Sequence, residues 1–214
     1  MNKLKSSEEI TKFLLVNKYF MPASAIMPLM VLNDKAKINY KNQSVSLEKA
    51  YFVSDEALLD AAKELYSGCQ ICTSQENLEG ASNLDELFVD LIKISQKEII
   101  FVTPYVSKEF IDAVDYFLKD KKELVTIITN KPSSNLALNN HAQITKQISS
   151  QGYKVYYAKK DLHAKLFLFD KKAGIITSSN LTKNGFFNYF EVGTIVFEKQ
   201  CKILNNLILG IVNK

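Results

Sequence analysis

The residues of this chain that could do chemistry are concentrated in one short stretch, "DLHAKLFLFDKKAGIITSSN", residues 161–180. It holds His163, one of only two histidines in the chain, and Lys165 follows two places later. On a strand, residues i and i+2 point to the same face, so the imidazole and the ammonium group would project together. A nucleophile or acid beside a fixed positive charge is the arrangement that reactions of phosphate groups require.

Further polar residues lie at the end of the next predicted strand and at the start of the strand after it. Ser178 and Asn180 are again two places apart, and they offer a hydroxyl and an amide as donors to phosphate oxygens. Glu191 begins the following strand, and its carboxylate could accept the second ring N–H of His163 and so fix the tautomer. The alternative is that His163 is a core histidine and that Lys165 only extends its ammonium group to solvent.

These residues resemble the HKD signature of the phospholipase D superfamily, H-x-K-x4-D-x6-G-S-x-N followed by an acidic residue. The spacing matches from His163 through Asp170 to Asn180, and Thr177 stands where the family usually has glycine. A threonine side chain that points inward would crowd a phosphate there. The resemblance covers about residues 81–214, and "FVTPYVS" (101–107) is similar to the first core strand and turn of the nuclease-like members. It implies the following catalytic and supporting residues: catalytic His163, Lys165, Ser178, Asn180 and Glu191; supporting Asp170, as a structural residue, with Thr177 and Ser179.

The family's reaction uses two HKD motifs, and this chain has one. The resemblance therefore implies a homodimer with a single site shared across a two-fold axis. One His163 would attack phosphorus to form a phosphohistidine, and the other would protonate the leaving oxygen and then activate water. The resemblance also implies a metal-independent reaction in which Lys165 supplies the positive charge, so we expect no metal ion and no other cofactor.

The distribution of charge favours nucleic acid as the substrate. Residues 81–214 carry 18 lysines against 13 acidic residues, whereas residues 1–80 carry 9 against 10. A basic surface suits a phosphate-bearing polymer. Lysines that flank the motif could contact its backbone: Lys159, Lys160 and Lys183. Nearby aromatic residues could stack on bases, although several belong in the core: Tyr153, Tyr156, Tyr157, Phe186, Phe187 and Tyr189. The chain contains no arginine, the residue that most often reads guanine, so we expect weak sequence specificity.

Two other functions remain open. A phospholipase D-type lipid hydrolase or phosphatidyltransferase would carry the same motif, and residues 19–32 could lie at a membrane surface, although core packing explains them more simply. A catalytically inactive nucleic-acid-binding protein is the other alternative, and Thr177 is its main support. No stretch reaches the ~20 consecutive apolar residues that span a bilayer. We therefore expect no stable membrane insertion and a cytoplasmic protein.

The pattern of apolar residues predicts the elements that position these side chains. Residues 81–214 alternate between helical and strand-like spacing, with helices around 84–92, 110–118, 144–148 and 203–208. Strands are predicted at 98–103, 124–129, 153–158, 164–170, 173–179 and 190–198. This alternation predicts an α/β domain with a mixed, mostly parallel β-sheet between helices.

Residues 1–80 are predicted as a separate N-terminal segment of uncertain role, a small helical or winged-helix-like appendage. Helices are plausible at 7–18, 22–32 and 55–66, with a β-segment around 36–53. The polar stretch "GCQICTSQENLEGASN" (68–83) marks the boundary with the catalytic domain, 81–214.

Three cysteines and a second histidine have weaker signals. Cys69 and Cys72 have the spacing of a metal or redox pair, but a zinc site needs four ligands and no second pair follows. Two half-buried cysteines are the simpler interpretation, and a zinc ion shared between two subunits is the alternative. His141 has no chemical neighbours in the sequence and is expected on the surface near a helix start.

Overall fold

The computed structural model describes residues 2–42, 47–75, 78–132 and 139–212. Within these ranges the strands are β1 (Lys3–Ser6), β2 (Lys37–Asn42), β3 (Leu47–Val53), β4 (Cys69–Thr73), β5 (Ser82–Asn83), β6 (Ile99–Val102), β7 (Val125–Thr129), β8 (Lys154–Tyr157), β9 (Leu166–Phe169), β10 (Ala173–Thr177) and β11 (Val192–Phe197). The helices are α1 (Ser7–Val16), α2 (Ala23–Leu32), α3 (Asp55–Ser67), α4 (Leu84–Ile94), α5 (Lys108–Leu118), α6 (Asn139–Ser150) and α7 (Glu198–Ile211). None of these helices has the length and apolar character needed to cross a bilayer.

The central sheet has eight strands in the order β5-β4-β11-β10-β9-β6-β7-β8. The pairings β4–β5, β6–β7 and β7–β8 are parallel, and the other neighbours are antiparallel. Followed across the sheet, these pairings make six strands run in one direction and only β9 and β11 in the other. The prediction of an α/β fold with a mixed, mostly parallel sheet between helices is therefore confirmed.

The strand directions bring the chemistry-bearing segments to one end of the sheet. Because β9 and β11 run against β10, the start of β9, the end of β10 and the start of β11 lie together. Strand β6, which runs in the same direction as β10, also ends there, because its last residue, Val102, pairs with Leu166, the first residue of β9. We call this the motif end of the sheet. Residues 161–165, 178–180 and 103–107 all adjoin it.

The central sheet carries a hydrophobic core on each of its two faces. In β9, Phe167 and Phe169 face a larger core while Leu166 and Leu168 face a smaller one, as the two-residue period of a strand requires. The larger core takes side chains from α1 to α6, and the Phe88 ring contacts five other phenylalanine rings within it. Helix α7 closes the smaller core through its buried residues Cys201, Leu204 and Ile208.

The residues before 80 form a three-stranded antiparallel sheet in the order β1-β3-β2, together with α1, α2 and α3. The three predicted helices are confirmed within two residues at each end. Most of α2 is buried, so the apolar stretch 19–32 lies in the core as the simpler interpretation held. The structure adds β4, which the sequence did not predict and which pairs with β11 in the central sheet. The boundary near residue 80 and the winged-helix-like character stay predictions.

The Asp170 carboxylate holds the turn between β9 and β10, at the end of β9 opposite to the motif end. Asp170 and Lys171 have φ angles of 51° and 58°, in the left-handed region that aspartate tolerates better than most residues. The carboxylate accepts the main-chain N–H groups of Gln96 (3.0 Å), Lys97 (2.8 Å) and Glu98 (3.0 Å). These charge-assisted bonds fasten the loop that leads into β6 to the β9–β10 hairpin.

Asp170→Asn should therefore weaken the fold without touching the motif end. Asparagine also tolerates a positive φ, but its neutral amide cannot accept three N–H groups as a carboxylate does. We expect the free energy of unfolding to fall by about 1.5–3 kcal/mol, the range for losing hydrogen bonds to a charged group. Urea denaturation of Asp170→Asn measures it, with Asp120→Asn at an exposed position as the matched control. An equal, small effect of both substitutions would contradict the role of the carboxylate.

Candidate active site

His163 and Lys165 lie immediately before β9, in a segment without regular secondary structure. This corrects the predicted strand at 164–170, because pairing with the neighbouring strands begins only at Leu166. His163 is exposed, so it is not a core histidine, and its ring makes no hydrogen bond to any residue that the structure describes. The Lys165 ammonium group donates to the main-chain carbonyl of His163 at 3.2 Å. The positive charge thus lies against the His163 backbone while the ring stays accessible.

Ser178 and Glu191 form a hydrogen-bonded pair at the motif end. The Ser178 hydroxyl donates to the Glu191 carboxylate and accepts the main-chain N–H of Val192 at 3.1 Å. Glu191 is almost fully buried, and its backbone is bonded to Ser74 on both sides, at 2.8 Å through N–H and 3.0 Å through C=O. The carboxylate therefore bonds to Ser178, where the sequence suggested a bond to the ring of His163. The pair fixes the Ser178 hydroxyl in place.

Thr177, Ser179 and Asn180 form the turn that leaves β10. The Thr177 hydroxyl donates to the carbonyl of Val192 at 3.2 Å and accepts the N–H of Ser179 at 3.1 Å, so its side chain is engaged with the backbone. The Ser179 hydroxyl is bonded to the carbonyl of Asn180 at 3.1 Å. The side-chain oxygen of Asn180 is buried without a hydrogen-bond partner among the described residues. Such an acceptor is unfavourable by about 1–3 kcal/mol, which marks this oxygen as a place where a donor is expected to bind.

Two glycines, neither of them predicted as a site residue from the sequence, allow this turn to form. A Cβ atom on Gly185 would lie 2.7 Å from the main-chain oxygen of Asn180 and 3.1 Å from its nitrogen. A Cβ atom on Gly193 would lie 2.7 Å from the carbonyl oxygen of Ile176 and 3.0 Å from the Cβ of Thr177. Neither site leaves room for a side chain. The only sequence signal was glycine itself, because these contacts depend on the tertiary structure.

The loop after β6 supports the same turn from the other side. Ser107 donates its N–H to the carbonyl of Leu181 at 2.9 Å, and its hydroxyl accepts the N–H of Lys183 at 3.2 Å. The N–H of Leu181 is bonded to the Thr103 hydroxyl at 3.4 Å. The stretch "FVTPYVS" thus serves the site as a backbone support.

His141 is buried, so the prediction of a surface position was wrong. It lies in the first turn of α6 with 5% of its surface exposed, and its Nε2 is 3.0 Å from the main-chain oxygen of Asn130. Burial lowers the pKa of His141, so the ring is neutral at pH 7. The Asn130 side chain in turn bonds to the main chain of Leu162, the neighbour of His163.

The lysines selected from the sequence are all exposed. Lys159, Lys160 and Lys183 take part in no ion pair within the portions of the chain that the structure covers. Their ammonium groups are therefore available to an anionic ligand.

The aromatic residues near the motif divide between the core and the surface. Tyr153 and Phe186 are buried and cannot stack on a base. Large exposed aromatic side chains lie shortly before Glu191 along the chain and near it in the sheet: Phe187, Tyr189 and Phe190. Phe190 was not among the residues that the sequence analysis selected.

Cys69 and Cys72 do not form a metal-binding pair within one chain. Both lie on β4, and residues three apart on a strand point to opposite faces. Cys69 is exposed, whereas Cys72 is buried opposite Gly193. Burial raises the pKa of Cys72 to about 12, so it remains a thiol at neutral pH. The two sulfurs cannot converge on one ion, which removes the zinc alternative for this pair.

Comparison with known proteins agrees with this geometry. A sequence profile described as "Cardiolipin synthase, PLD-like domain" matches residues 88–208, which include every motif residue. The DISARM protein DrmC of Bacillus paralicheniformis is 30% identical over 127 residues, covering 53% of this chain and 50% of that protein. The chain thus corresponds to about half the length of this relative.

Two solved structures share the fold. Nuc from Salmonella typhimurium, a phospholipase D family member, superposes with a TM-score of 0.51 at 14% identity, over 67% of this chain and 93% of its own. Polyphosphate kinase from Porphyromonas gingivalis superposes with a TM-score of 0.50 at 11% identity, over 69% of this chain and 26% of its own. At these identities the likeness concerns the fold.

Gly185→Ala tests the packing of the turn at Asn180. The added methyl group must push the Asn180 backbone away, and overpacking of this kind lowers the free energy of unfolding by about 1–3 kcal/mol. Gly210→Ala is the matched control, because nothing lies within 4 Å of a Cβ there. Urea denaturation should show a loss for Gly185→Ala alone, and amide NMR shifts at Asn180 should move only in that variant. Equal behaviour of the two variants would show that the turn has room to spare.

Proposed function

Because the profile match covers more than half of its length, the chain belongs to the family of phospholipase D-like domains, and we propose that it is a metal-independent nuclease. The observation that carries the proposal is the His163 ring, which is exposed and unbonded within the described residues while the Lys165 ammonium group lies against its backbone. A free imidazole beside a fixed cation can attack phosphorus while the cation stabilises the developing negative charge. The unpaired Asn180 oxygen adds a polar group that a ligand or a second chain would satisfy.

The proposed reaction has two steps and needs two copies of His163. A ring nitrogen of one copy attacks phosphorus, and a P–N bond forms as the P–O bond to the leaving group breaks. The leaving oxygen takes a proton from the imidazolium of the other copy. That ring, now neutral, takes a proton from water, whose oxygen attacks phosphorus and breaks the P–N bond. The reaction therefore begins with the attacking ring neutral and the other ring protonated.

The surface beside the site supports a site shared by two chains. On β10, β11 and β4 the register places Ile176 opposite Thr194, and Thr194 opposite Ile71. Both isoleucines are exposed, and so is Val192, two residues from Thr194 on the same face. With Tyr189 and Phe190 they form a surface that we call the apolar rim: Ile71, Ile176, Tyr189, Phe190 and Val192. Exposed apolar groups of this kind mark interaction sites, and Ile176 and Val192 place this surface at the motif end of the sheet.

Nucleic acid is the proposed substrate because of charge. The exposed lysines Lys159, Lys160 and Lys183 are free to neutralise backbone phosphates. Phe187 is exposed close to the motif and offers a face on which an unpaired base can stack. With no arginine in the chain, binding should depend on phosphate contacts more than on base readout. A cytoplasmic location is part of the same proposal.

A lipid substrate is the second candidate, because the matching profile is described by the name cardiolipin synthase. The inactive alternative loses its main support. Thr177 was its reason, and the Thr177 hydroxyl is bonded to the backbone at Val192 and Ser179 and does not lie free in the site.

Cleavage in EDTA at low salt tests the proposed chemistry. Wild type and His163→Asn are offered single-stranded DNA, plasmid, RNA and a phosphatidylcholine analogue. We expect wild type to cleave a nucleic acid and His163→Asn to lose activity on the order of 10³-fold or more, as for removal of a nucleophile. Turnover of the lipid alone would select the second candidate. Activity that disappears in EDTA and returns with a divalent ion would refute the metal-independent mechanism.

Ile71→Lys tests the shared site, since it charges the apolar rim on a strand that carries none of the motif residues. We expect wild type to be a dimer by sedimentation, and Ile71→Lys to be monomeric and inactive. Val16→Lys, at an exposed apolar position at the end of α1, is the matched control and should stay dimeric and active. An active monomer would overturn the composite site.

A further inference from the structure

The position of the His163 ring depends on its backbone, because the ring itself makes no hydrogen bond within the described residues. The backbone is fastened on both sides. After His163, the carbonyl of Lys165 accepts the N–H of Thr177 at 3.1 Å, which extends the β9–β10 ladder. Before it, Leu162 is fastened by a side chain. Only two residues, 163 and 164, lie between these anchors.

Asn130 provides the anchor at Leu162. Its side-chain oxygen accepts the Leu162 N–H at 2.6 Å, and its side-chain nitrogen donates to the Leu162 carbonyl at 3.1 Å. The Asn130 side-chain amide thus makes the two main-chain hydrogen bonds that Leu162 would make to a neighbouring strand within a sheet. Leu162 is itself buried in the smaller core, so the anchor is rigid. Asn130 follows the last residue of β7 and is far from the HKD motif in the sequence.

His141 holds Asn130 in turn. A carbonyl oxygen can only accept, so the contact of 3.0 Å between His141 Nε2 and the Asn130 oxygen requires the proton on Nε2. The Thr129 hydroxyl lies 3.3 Å from the same nitrogen and donates to the carbonyl of Pro104 at 3.0 Å. The buried imidazole therefore ties the end of β7 to α6, and the Thr129 hydroxyl ties it to the loop after β6.

We propose that Asn130 is a positioning residue for His163 and that His141 orients Asn130. The two histidines of the chain then have unequal tasks: one carries out the reaction, and the other, buried and neutral, fixes the backbone that presents it. This assignment goes beyond the HKD motif and rests on the proposed function only in that His163 is the nucleophile. The two-point clamp on Leu162 is a structural claim with its own readout.

The kinetic test uses bis(p-nitrophenyl) phosphate, a small phosphodiester that needs few binding contacts. In Asn130→Ala we expect kcat to fall at least ~10-fold with KM nearly unchanged, because misplacing a reacting group affects the transition state more than binding. Asn17→Ala is the matched control, since this exposed asparagine also donates to a carbonyl, at the end of α1, and should leave both constants unchanged.

At position 141 two variants separate the hydrogen bond from packing. His141→Phe fills the space without a donor, whereas His141→Gln keeps an N–H that can reach the Asn130 carbonyl. We expect kcat to be closer to wild type in His141→Gln than in His141→Phe, with similar melting temperatures. A loss of kcat that follows the melting temperature in both variants would make His141 a packing residue and overturn its orienting role.

Ring NMR gives the readout that does not depend on catalysis. With only two histidines per chain, His141→Phe leaves a single ring signal, and this assigns His163. In the clamped wild type, His163 should give one sharp signal, and in Asn130→Ala it should broaden or split. If wild type hydrolyses no phosphodiester but this change appears, the proposed function fails and the clamp stands. An unchanged His163 signal in Asn130→Ala overturns the clamp, whatever the activity.

Discussion

The main-chain ladder that joins β9, β10 and β11 is the constraint on which the site depends. Beyond the strand ends it continues through two bonds, from Thr177 N–H to the Lys165 carbonyl at 3.1 Å and from Ser178 N–H to the Val192 carbonyl at 3.0 Å. These bonds bring together three stretches that are separate in the sequence. Because a one-residue slip of a strand turns every side chain to the other face, the register of this ladder determines which side chains lie together at the motif end. Three main-chain N–H groups donate to the Asp170 carboxylate and hold the turn of the β9–β10 hairpin. The pairing of these two strands begins at that turn.

Much of the fold could be predicted from the sequence, and so could a set of candidate site residues, because both predictions depend on local pattern and spacing. Apolar residues at helical intervals predict helices α4, α5 and α7, and short apolar runs predict the buried strands. Pairing between strands that are distant in the sequence depends on the tertiary structure. For this reason β4, which pairs with β11, was not predicted. Its sequence, CQICT, is short and mixed, and pairing with a distant strand decides its conformation.

The contacts of the site were harder to predict than its members. Residue spacing predicts Ser178, Glu191 and His163 as one group. Which acceptor lies nearest to which donor depends on where the strands end, and β9 starts two residues later than predicted. As a result the Glu191 carboxylate bonds to Ser178. The burial of His141 was missed for a different reason. His141 lies three residues before Ile144 and seven before Ile148, on the face of α6 that packs against the core, but a histidine among polar residues was assigned to the surface.

The polar groups at the motif end divide into those that hold the backbone and those that remain open. Thr177, Ser107 and Asn130 direct their side chains to main-chain groups, where each bond fixes a loop. The His163 ring and the Asn180 oxygen are left without partners in the described part of the chain. The buried Asn180 oxygen is unfavourable for the isolated fold, whereas the exposed His163 ring can bond to water. An unpaired buried group persists only when the surrounding structure over-determines its position. Here the turn at Asp170, the packed glycine at Gly185 and the ladder of β10 do so. The His163 ring is therefore left open to a ligand, and the stabilising contacts lie around and behind it.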